Sequence, residues 1–216
     1  MFDLAAPLIS AGAHQREEVP RDGGRWPLSV VLRPPPDTPL ARTLDTLTQE
    51  AAHVAGSGQW QTGQLGAAHL TVRALEPRRE VVPSGDPSVR RYLAALERAT
   101  AHTSWPIGFR VAGLTLTPGT VMACAEPLDD AADAFSDRLA GELLGDAWYE
   151  RERRDIWYLN LLHFAADIPD PESLITWVKS RRSTTFGTTT VPVPELVRAD
   201  HRPGHRPHMR LVPLTT

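Results

Sequence analysis

Two short segments in matching contexts, His69-Leu70-Thr71-Val72 and Tyr158-Leu159-Asn160-Leu161, constrain this chain more than any other feature of it. In each, two polar-headed side chains stand two positions apart in an apolar run, and a β-strand aims such residues at one face. The elements around the first segment read clearly. A strand over 26–33 stops at Pro34-Pro35-Pro36, and Thr38-Pro39 opens a helix whose Leu40, Leu44, Leu47, Ala51 and Val54 share one face until Gly56. The strand carrying His69 spans about 67–75. Asp86-Pro87 then starts a helix with Val89, Leu93, Leu96 and Thr100 on its buried stripe. A hairpin of strands over 109–116 and 120–125 turns at Thr117-Pro118-Gly119-Thr120, with the Pro-Gly order a type II turn prefers.

The second half repeats this order. A helix over 128–144, with Ala132, Phe135, Leu139 and Leu143 on one face, leads into a strand over 156–165 that carries Tyr158. Asp170-Pro171 starts another helix, and extended runs follow over 188–197 and 208–214. Val212-Pro213-Leu214 stands to Glu126-Pro127-Leu128 at nearly the offset that separates the two polar segments, so two independent landmarks agree. The expectation is an α+β, bilobal protein: two pseudo-repeated helix–strand–helix–hairpin lobes with mostly antiparallel sheets around a central cleft. Residues 1–25 read as a polar leader and 26–216 as one domain with interleaved lobes.

Composition narrows the function classes. The 216 residues can bury a sizeable core, and 41% hydrophobic with 23% charged residues is the balance of a globular chain. A formal net charge of -3 argues against a grip on long nucleic acid, which needs many phosphate contacts, and leaves a local pocket for a few phosphates open. The single Cys124 rules out an internal disulfide and a cysteine-built metal site, and its apolar neighbours make it a small core residue. No stretch approaches the roughly 20 apolar residues of a membrane span, and no secretory signal is evident, so a cytoplasmic protein is expected. His201, His205 and His208 lie in a Pro- and Gly-broken tail that reads as a basic loop and not as a metal site. The Arg pairs read mostly as solvated faces, and the six Trp residues as packing.

His-x-Thr-x in an apolar strand, a following helix, a Pro-Gly hairpin and a second such strand further on together resemble the 2H phosphoesterase superfamily, which includes RNA 2′,3′-cyclic phosphodiesterases and 2′,5′ RNA ligase-like proteins. The order of elements matches over 26–214. The resemblance implies a cleft in which two histidines and two hydroxyl residues surround a phosphodiester, with no cofactor and no metal. His69 and Thr71 match the first pair. Tyr158 and Asn160 fall where the second His and Thr would stand.

Metal-free cleavage of a cyclic phosphodiester needs one group to take a proton from water and another to give one to the departing oxygen, and imidazole can do either. His69 is therefore the candidate base and Thr71 a donor to a phosphate oxygen. Asn160 can donate in place of the second Thr, and Tyr158 is the remaining acid. Arg73 shares parity with His69 and Thr71 and is the candidate phosphate clamp. His163 has the parity opposite to Tyr158 and would need a β-bulge to reach the cleft. The partner expected is a small nucleotide or an RNA end. Two other readings stay open: a nucleotide-binding protein without turnover, and a cleft recruited to a small molecule that is not a phosphate.

Overall fold

The segment read as a polar leader opens with Phe2, Ala5 and Ile9 at helical spacing. The computed structural model, which describes residues 1–152, 154–202 and 207–215, folds Phe2–Ser10 into a helix (α1) that buries those three side chains. Then come β1 (Leu28–Leu32), α2 (Pro39–Ala55), β2 (Trp60–Gln61), β3 (Leu70–Glu76), α3 (Pro87–Ala101), β4 (Ile107–Thr117) and β5 (Thr120–Pro127). The remainder is α4 (Ala131–Leu143), a 3₁₀ turn at Leu144–Ala147, β6 (Trp157–His163), α5 (Pro171–Lys179), β7 (Thr185–Val191), β8 (Pro194–Arg202) and β9 (His208–Pro213). The helix starts follow the capping chemistry. Thr38 accepts from Ala41 N at 3.2 Å, Asp86 from Ser88 N and Val89 N at 2.9 and 3.0 Å, and Asp170 from Ser173 N at 3.0 Å, each with Pro at the first helical position. Arg79, hydrogen-bonded to Asp86, helps hold that carboxyl down at about 2.

All described strands join one sheet in the order β2-β9-β8-β1-β3-β6-β5-β4-β7, and only β2 with β9 pairs parallel. Because β2 also pairs with β6, six of the strands close into a ring, β2-β9-β8-β1-β3-β6. The other three extend it beyond β6 as an antiparallel sheet. β1 is buried along its whole length, which fits a strand covered on both faces. Leu28, Val30 and Leu32 join the main core with the helices. Val31, with Trp26, Trp60, Val197, Ala199, Met209 and Leu211, forms a separate cluster within the ring.

Two local expectations change. Gly119 is not among the residues with positive φ, so the Thr117–Thr120 connection is not a type II turn. Instead Thr117 Oγ1 accepts Gly119 N–H at 3.2 Å and meets Thr120 Oγ1 at 2.7 Å. The run read as one strand over 188–197 is split between β7, which pairs with β4 at one edge of the sheet, and β8, which lies between β1 and β9. No described helix is long and apolar enough to cross a membrane.

The fully buried Ile9 ties α1 to the core, so Ile9→Ala should lower unfolding free energy by about 2–4 kcal/mol in chemical denaturation. A change under about 0.5 kcal/mol would mean that α1 contributes nothing to the fold.

Candidate active site

Antiparallel pairing of β3 with β6 matches Leu70 with Leu159, which brings the two polar segments of the sequence side by side. A cavity of ≈ 430 Å³ opens over this pair. His69, Thr71, Tyr158, Asn160 and His163 all line it, together with Arg25, Tyr149, Glu150 and Arg154 near its polar side. His163 reaches it because the β5–β6 register skips Leu161: Val121 pairs with Leu162 but Met122 with Asn160. This bulge inverts the parity that would otherwise turn His163 away.

A second bulge acts the other way. In the β1–β3 pair Val31 faces Thr71 and Val30 faces Arg73, so Val72 is passed over. Thr71 and Ala74 line the cavity, and Arg73 does not. It is 3% exposed and donates through Nη1 to the Glu150 carbonyl. Glu150 also accepts from Ala74 N at 2.6 Å and holds Arg154 Nε at 2.8 Å, while Arg154 Nη1 donates to Tyr158 Oη at 2.9 Å. Arg73 thus anchors the connection that lays Arg154 along the cavity. Sequence parity alone could not show this, since neither the bulge nor the position of Glu150 is written in β3.

The two imidazoles sit in different surroundings. His69 Nδ1 lies 2.7 Å from the Ala67 carbonyl, which can only accept, so this nitrogen carries the hydrogen and Nε2 keeps the lone pair. Burial pushes His69 down to about 4, and the nearby His163, Arg154 and Arg33 push in the same direction against the Ala67 hydrogen bond. His69 is neutral at pH 7 and can accept a proton. His163 Nδ1 stands 3.6 Å from the Glu17 carboxylate, an ion-pair distance. Glu17, 8% exposed, comes from the segment after α1 and also binds Arg25 at 2.8 Å. Neither Glu17 nor Arg25 carries a motif, so sequence reasoning missed both. The capacity of β6 to bulge was the only available signal for His163.

The bulge is held from outside the strand. The Leu161 carbonyl accepts from both Thr62 N at 3.0 Å and Gly63 N at 3.2 Å, and Thr62 Oγ1 donates to the Asn160 carbonyl at 3.1 Å. A Cβ on Gly63 would fall 2.4 Å from Thr48 Oγ1 and 3.0 Å from Leu161 Cα, so only glycine lets the turn approach this closely.

Other candidates fall elsewhere. His201 packs edge-on against Trp60 at 5.6 Å and His208 begins β9, while His205 lies outside the described residues. Among the described residues no three metal-ligating side chains cluster. Cys124 is half-buried on β5, and burial raises its thiol. Arg78, expected on a solvated face, is buried and donates to the Ala199 carbonyl.

No protein-family model and no curated protein matches the sequence. Solved structures do match the fold. TT0787 of Thermus thermophilus superposes with a TM-score of 0.60 at 18% identity, over 86% of this chain and 94% of that one. E. coli LigT complexed with 3′-AMP gives 0.58 at 13% identity, over 88% and 95%, and a further phosphoesterase gives 0.56 at 12%, over 88% and 95%. The chain shares the fold of TT0787, of LigT and of that phosphoesterase, which agrees with the fold implied by the resemblance that His69 and Thr71 carry.

Two measurements probe this site. Folded His69 stays neutral down to about 4, whereas unfolded it takes up a proton near 6.5. The unfolded state then binds more protons between those values, so stability should fall as pH drops through that window. His69→Gln should flatten this slope, and an unchanged slope would refute the buried neutral imidazole. Gly63→Ala should cost at least about 1 kcal/mol and displace the His163 ring resonances in an NMR spectrum, whereas wild-type stability with unmoved resonances would show that the bulge does not depend on this contact.

Proposed function

We propose that the chain is a metal-independent phosphodiesterase acting on a small nucleotide or an RNA 2′,3′-cyclic phosphate end. The observation that carries the reading is the convergence of two imidazoles, His69 and His163, on one cavity with hydroxyl, amide and guanidinium donors beside them. Water attacks phosphorus while His69 Nε2 takes its proton. The bond from phosphorus to one ribose oxygen breaks, and that oxygen receives a proton from the imidazolium of His163, for which Glu17 is the counter-charge. The product is a phosphomonoester, and solvent resets both rings. Thr71, Asn160 and Arg154 hold the non-bridging oxygens, with Tyr158 as a further O–H donor. In this reading His163 takes over the acid role for which Tyr158 stood in the sequence, and Arg154 the phosphate contact for which Arg73 stood.

The complexes of E. coli LigT with 3′-AMP, ATP and NADP+ support a small nucleotide as the ligand class. A duplicated, bilobal origin is supported by the equal number of strands, β9-β8-β1-β3 and β6-β5-β4-β7, on the two sides of the β3–β6 junction. We assign the whole chain to one domain, with α1 and the Glu17 segment part of it and not a separate leader, and place the protein in the cytoplasm. A second reading, a nucleotide binder without turnover, is favoured by one observation: Arg154 already occupies the Tyr158 oxygen, at the place where a second histidine would stand.

The test is hydrolysis of 2′,3′-cyclic nucleotides with chelator present. His69→Ala should lower kcat by about 10² to 10⁴, and His163→Ala by a similar factor. If the parent binds these nucleotides and turns over none, the binding reading replaces the enzyme.

A further inference from the structure

The cavity has two unlike halves. The polar half comes from β3 and β6. The other half comes from β1, β8 and β9, whose inward side chains Val31, Val197, Ala199, Met209 and Leu211 border the same space, with Trp26 at its edge. These five are 0%, 2%, 5%, 6% and 6% exposed, so the wall is closely packed and little of it faces open water. Their spacing along each strand is that of the inner face of a barrel. The cavity of ≈ 430 Å³ extends to this wall.

The chemistry of this wall is selective. Its polar groups are two, both from the β1 side: Ser29 Oγ already donates to the Pro27 carbonyl at 3.2 Å, and the Trp26 indole N–H at the edge is buried without a partner among the described residues. A nucleobase edge pressed against Val197, Met209 and Leu211 would lose its hydrogen bonds to water and find none in return. An apolar group would lose nothing, and apolar cavities stay dry and accept such groups. The wall lies beside the imidazoles, so whatever enters it is bonded to, or next to, the phosphate that they address.

We propose that the barrel half of the cavity receives a compact apolar arm, aryl or branched alkyl, carried by the phosphate ester, so that the preferred substrates are small phosphodiesters with an apolar substituent. This rests on the phosphoester reading of the same site and narrows it. Any nucleobase then stays at the mouth, near Tyr149 and Arg25.

Binding measurements on the purified chain separate this from the function itself, because they need no turnover. Phenyl phosphate and methyl phosphate carry the same anionic end and differ in the arm. Titration calorimetry should show phenyl phosphate binding about 10- to 100-fold more tightly, the gain expected for burying one ring. Ala199→Leu, which fills the lumen, should bring that ratio to roughly one. Met209→Ala, which enlarges it, should move the preference toward naphthyl phosphate, and thermal melts of both variants confirm that they are folded. A parent ratio near one, or no saturable binding of phenyl phosphate, overturns the proposal. Cyclic nucleotide turnover with a ratio near one would refute this inference and leave the function standing. A large ratio without turnover would do the reverse.

Discussion

Two backbone amides, Thr62 N–H and Gly63 N–H, converge on the carbonyl of Leu161, and the candidate site depends on that junction. A regular β6 would turn His163 toward the opposite face from Tyr158 and Asn160. The skipped Leu161 gives it back to the cavity, and an unpaired bulge carbonyl would carry a desolvation cost without its two donors. The same turn follows β2, the two-residue strand that joins β9 to β6 and closes the ring. Closure and the orientation of the second imidazole are therefore consequences of one short segment. Thr48 of α2 stands against Gly63 from the other side, so the helix that packs the core also fixes how near the turn can come.

Electrostatics then separates the roles of the two rings. Burial and neighbouring positive charge keep His69 neutral, with its tautomer fixed by Ala67. His163 has a buried carboxylate beside it, and Arg25 offsets part of that charge. A carboxylate this deep is costly unless paired, and Glu17 is paired on one side with an exposed guanidinium and set against an imidazole on the other. Environments that push two titratable groups apart are what acid and base assignments require. Here it is His69 whose proton affinity is pushed, downward, and the two rings meet different neighbours from segments as remote in sequence as residues 17 and 67.

How much of this was legible in the sequence follows from the range of each interaction. The starts of α2, α3 and α5 are local capping events within four residues, and Thr38, Asp86 and Asp170 announce them. The placement of His69, Thr71, Tyr158 and Asn160 on one cavity follows from strand parity, which also acts over two residues. Arg73 and His163 fail the same rule for one reason: each lies beyond a bulge, and a bulge is fixed by what packs against the strand and not by the strand's own residues. α1 escaped because nine residues with Pro7 inside are a weak helical signal, and its apolar face acquires meaning only against β4 and α5. Glu17 escaped because a single carboxylate in a polar stretch has no pattern at all.

The polar face of the cavity carries a folding cost. Asn160 Oδ1 is buried without a hydrogen-bond partner among the described residues, and His163 Nδ1 has the Glu17 carboxylate beside it at 3.6 Å, longer than a hydrogen bond. A buried, unpaired polar atom such as Asn160 Oδ1 costs about 1–3 kcal/mol, and an apolar side chain there would remove the cost. Strand β6 is apolar enough around it, at Leu159, Leu161 and Leu162, for Val or Leu to fit the pattern. Asn160 and His163 converge with His69 and Thr71 on a single space, where the Trp26 indole N–H is a further buried group without a partner among the described residues. That arrangement has the character of a site kept for a ligand that completes it, since folding alone would have favoured the simpler strand.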